Sequence, residues 1–231
     1  PAEELAITNS RVDGLEARLN NFEAGSFSET TTASFSLDTL VGAVDGGNDS
    51  TEALSFDYQM NIGLSTSFTG EDSFDVSIDA GNSGGQVGEF DLNGAVTNSA
   101  GATTTDVLNV DGVSYTFPLG DKTTVIVGDN TDGSALFTTA CAYGGPSNTL
   151  DDCGNVNAGI TNGGAMAGAA YDFGNGLTAA VGYAGPESGI MTDESADAYG
   201  ANLAYIADSY GVSFTYGVLE SGANENTYAA L

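Results

Sequence analysis

The sequence predicts an all-β fold: an antiparallel transmembrane β-barrel, with about 9–10 strands visible, preceded by a short coiled-coil α-helix. Three observations favour this fold class. Apolar and polar residues alternate along many segments, tight turns alternate with long polar connections, and aromatic residues gather beside the tight turns. The periodicity changes after position 25, so we assign residues 1–25 to the helix and residues 26–231 to the barrel domain.

The clearest alternation runs from Leu54 to Phe68. Apolar residues and Thr66 occupy one face of this run, and polar or small residues occupy the other. A period of two residues excludes a helix, and the run is longer than an ordinary strand of about 5–6 residues. The pattern recurs, in shorter form, in residues 74–80, 177–183, 199–205 and 212–218.

The connections between these segments are of two kinds. Tight turns are expected at residues 70–73, 119–122, 174–176 and 208–211, and long polar loops at 82–106, 130–163 and 185–197. If the first strand runs upward, all tight turns fall on one side and all long loops on the other. Short periplasmic turns and long external loops are typical of outer-membrane barrels, whereas a soluble β-sandwich has no reason to separate them.

Aromatic residues flank the tight turns on the apolar face, where an interfacial girdle would need them. They are Phe68, Phe74, Phe117, Tyr171, Phe173 and Tyr210. The opposite face carries carboxylates and amides, which would be costly in a dry core but are natural beside water. We therefore expect a water-filled pore. The predicted pore-lining residues are Asp38, Asp57, Gln59, Asn61, Asp75, Asp79 and Asn202.

The first 25 residues show a different repeat. Leu5, Val12 and Leu19 are spaced by heptads, and Thr8, Leu15 and Phe22 occupy the alternate seam position. This pattern predicts a coiled coil, with an ordinary amphipathic helix as the alternative. A short helix of this kind is marginal alone, so we expect it to self-associate, and bulky Phe22 favours a three-stranded seam.

Composition excludes several classes of function. The formal net charge is −29 with only 3 Lys and Arg, so the chain cannot neutralise nucleic-acid phosphates. It has no histidine, which removes Ser-His and Cys-His nucleophiles, and Asp75 and Asp79 are more simply lumen lining than a glycosidase pair. We therefore expect no enzymatic activity, no metal and no cofactor. The sequence contains neither an apolar run of about 18 residues nor a signal peptide.

Two cysteines lie in one Gly-, Asn- and Asp-rich stretch. Cys141 and Cys153 are interpreted as a disulfide within a long external loop, because that stretch offers no core in which to bury thiols. Two free thiols are the alternative. A zinc site is disfavoured because there is no second cysteine pair and no histidine.

Several segments resemble cyanobacterial Som-type porins of the carbohydrate-selective (OprB-like) group. The quoted segments are LEARLNNFEAGSFSETTTASFSLDTL, STSFTGEDSF, VSYTFPLGDKTTVIVG and GAAYDFGNGLTAAVGYAG. The resemblance runs at intervals through residues 1–220. It implies a homotrimeric outer-membrane barrel in contact with lipid and a periplasmic coiled coil. It also implies an upstream S-layer-homology domain that binds peptidoglycan or cell-wall polysaccharide, and a barrel that continues past residue 231.

Two functions follow as hypotheses. The first is a porin for passive diffusion of small hydrophilic solutes and ions, with a pore that prefers cations or is nearly neutral. The second is an envelope-structural protein that tethers the outer membrane to the cell wall through its coiled coil, with transport incidental. The polar strand face favours the first, because a purely structural barrel could fill its interior with apolar residues.

Overall fold

A computed structural model describes residues 30–43, 54–82, 103–139, 164–192, 195–221 and 224–230, with residues 11, 92, 96–97 and 160. The predicted coiled coil therefore lies outside the described residues, except for Arg11, which is helical. Cys141 and Cys153 also lie outside them. No helix among the described residues is long and apolar enough to cross a membrane.

The described residues are all-β, as the alternation predicts. The strands are β1 (Thr31–Gly42), β2 (Ser55–Thr66), β3 (Ser73–Gly81), β4 (Val96–Thr97), β5 (Thr103–Thr104), β6 (Asn109–Pro118), β7 (Thr123–Asp129), β8 (Ala165–Gly174), β9 (Leu177–Gly185), β10 (Ala198–Ile206), β11 (Gly211–Ser221) and β12 (Asn224–Ala230). β4 and β5 form a two-stranded pair of their own within the connection from β3 to β6.

The other ten strands form one antiparallel sheet in chain order, β1-β2-β3-β6-β7-β8-β9-β10-β11-β12. This up-and-down order confirms the predicted strand count and the antiparallel sheet. In the described part of the chain, β1 and β12 each pair with one neighbour and form the two edges of the sheet.

The predicted tight turns all occur between paired strands. The β8–β9 turn contains Asn175 and Gly176, both with positive φ (57° and 81°), which is the backbone that a two-residue hairpin requires. β2 ends at Thr66 rather than Phe68, because the carboxylate of Asp72 accepts hydrogen bonds from the backbone N–H groups of Phe68 and Thr69 (3.0 and 2.8 Å).

The predicted separation of long loops from tight turns is wrong at the last hairpin. Ser221 of β11 pairs with Asn224 of β12, so only two residues join these strands on the side of the long connections. The sequence around this turn carries Gly222, which suits a tight connection as well as a loop.

Burial on the sheet is the reverse of that in a water-soluble protein. Large apolar side chains are exposed along most strands, including Phe35 (73%), Phe56 (58%), Val181 (57%) and Phe214 (47%). The opposite face buries polar groups, among them Asp57, Asn202 and Thr215. The predicted assignment of polar and apolar residues to opposite faces is therefore confirmed for these strands.

Candidate functional site

The face opposite the exposed apolar side chains is continuous across the sheet. Cross-strand pairing places Ser65, Asp75, Ser114, Gly128 and Met166 in one row on it, and directly paired residues share a face. We divide this face into two parts. The acidic wall is the face on β1, β2, β3 and β6, and the covered wall is the same face on β7 to β11.

The acidic wall contains all the predicted pore-lining residues except Asn202. Asp38 pairs with Gln59, and Asn61 pairs with Asp79 in the next row. Asp75 lies four residues before Asp79 on β3, a rise of about 13 Å along the strand. The sequence-predicted carboxylates and amides thus share one surface and follow the strand direction.

Hydrogen bonds on the acidic wall use only part of its polar groups. Ser73 donates to Asp75 Oδ2 at 2.7 Å, Gln59 Nε2 donates to Asn61 Oδ1 at 3.1 Å, and Ser55 donates to Asp57 Oδ2 at 3.5 Å. Asp79 Oδ1 is buried and accepts no hydrogen bond from the described residues. The sequence beyond residue 25 contains one basic residue, Lys122, in a turn. Within the described residues, Lys122 Nζ donates to the carbonyl of Phe173 at 3.4 Å.

The covered wall is built from small residues. Gly168, Gly182, Gly200 and Gly217 are paired in sequence across β8, β9, β10 and β11, so a row of glycines crosses four strands. Alanines lie on the same face beside them, including the buried Ala180 and Ala204. Without side chains in this row, another segment can approach the backbone of the sheet closely.

Residues 131–138 cross this face from Gly128 on β7 to Asn202 on β10, and we call them the covering segment. A Cβ atom at Gly182 would overlap the carbonyl of Gly133, and one at Gly168 would lie 3.1 Å from the same oxygen. Asp132 shapes the entry to the segment, since its Oδ1 accepts hydrogen bonds from the Ser134 amide and hydroxyl (2.8 and 2.6 Å). The covering segment thus lies directly on the glycine row.

Asn202 fixes the far end of the covering segment. Its Nδ2 donates to the carbonyl of Thr138 at 3.1 Å, and its Oδ1 accepts from the amide of Thr138 at 3.0 Å. The same Nδ2 donates to Thr215 Oγ1 at 2.9 Å. The side chain therefore satisfies both backbone groups of Thr138 as a neighbouring strand would, and Asn202 is 3% exposed.

A small apolar cluster supports the covering segment from the side. Ile160 is fully buried, and its carbonyl accepts the Gly133 amide at 2.9 Å. It packs with the buried wall residues Ile126, Met166, Ala184 and Ala198, and with Leu136, Phe137 and Leu219. Ile160 and the covering segment both belong to the connection between β7 and β8. That connection therefore contacts the face of the sheet at two separate points, at the covering segment and at Ile160.

Aromatic rings form contacts beside the tight turns. Phe68 lies 6.1 Å from both Phe74 and Tyr115, and Tyr115 stacks on Phe117 at 5.3 Å. Two further pairs lie beside the following turns, Tyr171–Phe173 (4.8 Å) and Tyr205–Tyr210 (6.0 Å). The predicted aromatics thus lie together at the tight-turn end of the sheet, with Tyr115 and Tyr205 as additional members.

Asp72 organises the turn between β2 and β3. Its Oδ2 accepts the hydroxyl of Tyr115 at 2.7 Å, and its Oδ1 accepts Ser67 Oγ at 2.7 Å and both the amide and hydroxyl of Thr69 (2.8 Å each). The hydrogen bonds from Tyr115 and Ser67 hold the pKa of Asp72 well below its usual value, so the carboxylate stays ionised.

The structure brings the acidic residues together as the sequence predicts, but it gives Asn202 a different role. Asn202 binds the covering segment instead of facing open space. Sequence reasoning missed the glycine row, Thr138 and Ile160. A glycine recurs among the apolar and polar alternation of four successive strands, and this signal could have indicated a closely packed face.

A comparison with curated proteins finds a partial match to a longer protein. No family model matches the chain. A protein of Nostoc sp. (strain PCC 7120), named only as the uncharacterized protein alr4550, is 34% identical over 133 residues. The match covers 51% of this chain and 22% of the relative, so the relative is more than twice as long as this chain.

Proposed function

We propose that the chain is part of an outer-membrane porin that lets small hydrophilic solutes and ions diffuse through a water-filled β-barrel. The observation that carries this proposal is the reversed burial of the sheet. Large apolar side chains are exposed on one face, while the other face carries the carboxylates and amides of the acidic wall, as suits a sheet with lipid outside and water inside. In water, an apolar face of this extent would be an aggregation surface.

Strand length supports the same proposal. Eight of the ten sheet strands contain 9–12 residues, and a tilted strand needs about 9–11 residues to cross a bilayer. The aromatic contacts beside the tight turns match an interfacial girdle at one membrane surface. We place these turns in the periplasm and the long connections outside the cell.

The two edge strands require partners in a membrane. An unpaired edge would leave backbone N–H and C=O groups of β1 and β12 without hydrogen bonds in hydrocarbon. We propose that further strands of a longer chain close the barrel between them, and the greater length of the Nostoc relative is compatible with such strands. The trimer and the periplasmic coiled coil of residues 1–25 belong to the same proposal.

The two walls have separate roles in the proposed pore. The covering segment narrows the lumen from the side of β7 to β11, so solutes pass along the acidic wall. Carboxylates without basic partners raise the local concentration of cations, which makes the pore cation-selective.

Planar-bilayer recording of the intact protein tests this function. In a salt gradient, we expect discrete conductance steps and a reversal potential whose sign indicates cation selectivity. Replacing Asp57, Asp75 and Asp79 together by Asn should move that potential toward zero, because the wall loses three charges. A control double variant, Asp121→Asn with Asp208→Asn, removes charge from exposed turns and should change the reversal potential less. Absence of conductance, or clear anion selectivity in the unmodified protein, would refute the proposal.

A further inference from the structure

The exposed apolar face of the sheet carries a hollow of about 390 Å³ on β8 to β11, which we call the apolar trough. Cross-strand pairing places Ala179 between Tyr171 and Leu203 in one row, and Ala201 is the small residue of the next row. The two alanines form the floor, and exposed larger side chains rise around it. This part of the face therefore offers an apolar channel to a slender apolar chain.

A positive charge lies beside the tight-turn end of the trough. The ring of Tyr171 contacts that of Phe173 at 4.8 Å, and Lys122 Nζ donates to the carbonyl of Phe173 at 3.4 Å. Within the described ranges the Lys122 ammonium forms no ion pair. Asp172 pairs with Thr178 on the opposite face, and its carboxylate accepts the Gly174 amide at 2.7 Å. The ammonium is therefore available to an external anion.

Tyrosine hydroxyls distinguish this end of the sheet from other places. Four tyrosine hydroxyls donate to carboxylates of the chain, in the pairs Tyr58–Asp106, Tyr115–Asp72, Tyr183–Asp197 and Tyr199–Glu220. In the described part of the chain, no hydrogen bond joins the hydroxyls of Tyr171, Tyr205 or Tyr210 to another residue. These three exposed tyrosines belong to the tight-turn ends of the strands that form the trough. Their hydroxyls are free to donate to acceptors outside the chain.

The occupant must join an apolar chain to an anionic group. A phospholipid meets both requirements, because its acyl chain is apolar and its phosphate is an acceptor for an ammonium and for hydroxyls. A second copy of the chain, inserted in the same direction, would bring its own aromatic girdle to this depth. Aromatic rings offer neither the negative charge nor the oxygen acceptors that Lys122 and the tyrosines lack.

We propose that the apolar trough holds an acyl chain of an anionic phospholipid from the periplasmic leaflet, with the phosphate beside Lys122. The proposal rests on the outer-membrane placement above and adds a specific lipid site to it. Lys122 is the single basic residue beyond position 25, so an anionic headgroup has one favoured place on this acidic sheet.

Tryptophan fluorescence tests the site in the intact protein, because the chain contains no tryptophan. Phe214→Trp places an emitter in the trough, three residues into β11, and Phe35→Trp places the control emitter four residues into β1 from the same end. Both variants are inserted into phosphatidylcholine vesicles that contain a minor fraction of phosphatidylglycerol brominated on its acyl chains. We expect quenching of Phe214→Trp to exceed the share of brominated lipid, and quenching of the control to match it. Equal quenching of the two emitters would overturn the site.

Further variants separate the charge from the trough. In the Phe214→Trp background, Lys122→Gln should lower the quenching to the control level, and Lys122→Arg should restore it. Ala201→Leu fills the trough but keeps Lys122, and it should lower the quenching as well. Unchanged quenching in Lys122→Gln overturns the site, and if that variant does not insert, unchanged quenching in Ala201→Leu does so by itself.

Brominated phosphatidylcholine distinguishes the remaining outcomes. If it quenches Phe35→Trp but neither lipid quenches Phe214→Trp, a second copy covers the trough and the lipid site is wrong. If it quenches neither emitter, the chain does not lie in the bilayer, and the proposed porin function is the one that fails.

Discussion

The acidic wall and the covered wall belong to one sheet and one face, yet they meet their surroundings differently. The acidic wall keeps carboxylates, amides and hydroxyls on its surface, whereas the covered wall carries a row of glycines flanked by alanines and binds a segment of the chain. The difference shows how side-chain size decides which part of such a face stays accessible. Charged side chains retain water, and a row of glycines lets another backbone approach.

The largest expected effect comes from adding a methyl group to the glycine row of the covered wall. Gly182→Ala would place a Cβ atom against the Gly133 carbonyl, so the covering segment must shift, at a cost of about 1–3 kcal/mol in the free energy of unfolding. Gly63→Ala is the matched control on the acidic wall, where the new atom meets only the Ser34 hydroxyl (2.6 Å), which can rotate away. Urea unfolding followed by circular dichroism measures both.

The same pair of variants tests whether the two walls differ in how closely they are packed. If Gly63→Ala destabilised the protein as much as Gly182→Ala, the acidic wall would be packed as closely as the covered wall. Single-channel conductance gives a second measurement, because displacement of the covering segment by Gly182→Ala should change the conductance more than Gly63→Ala does.

An intermediate effect is expected from the amides of the two walls. Asn202→Ala leaves the amide and carbonyl of half-buried Thr138 without their side-chain partner, which costs about 1 kcal/mol and loosens the covering segment. Asn61→Ala is the counterpart on the acidic wall, where the amide donates to exposed Ser36 at 3.3 Å and water can replace the bond. Hydrogen exchange at Thr138 should rise in the Asn202 variant and stay unchanged in the Asn61 variant.

The smallest effect concerns the turns. The folded pKa of Asp72 is lowered, so its contribution to stability is fully present above the unfolded value of about 3.9 and is lost as pH falls through the folded value. Asp72→Asn should therefore lower the midpoint of heat unfolding by a few degrees at neutral pH and have less effect in strong acid. Asp121→Asn, in the next exposed tight turn, is the control. If the difference in unfolding midpoint between Asp72→Asn and the unmodified protein did not change with pH, the effect would come from the shape of the side chain and not from its charge.

Much of the fold could be read from the sequence. Alternation with a period of two fixed the strands and their faces in β2, β3, β9, β10 and β11, because neighbouring residues of a strand must point to opposite sides. Gly-containing turns located the hairpins, because few other residues adopt positive φ. The carboxylates of the acidic wall were identified from the alternation, since their position in it determines their face.

The tertiary structure alone decided which part of that face is covered. Ile160 and Thr138 contact the wall across long sequence separations, and a local pattern carries no information about which loop returns to which strand. Asn202 illustrates the limit: its face follows from the alternation in β10, but its hydrogen bonds to Thr138 depend on where a distant connection folds. Local periodicity sets the direction of a side chain, and only packing determines what it meets there.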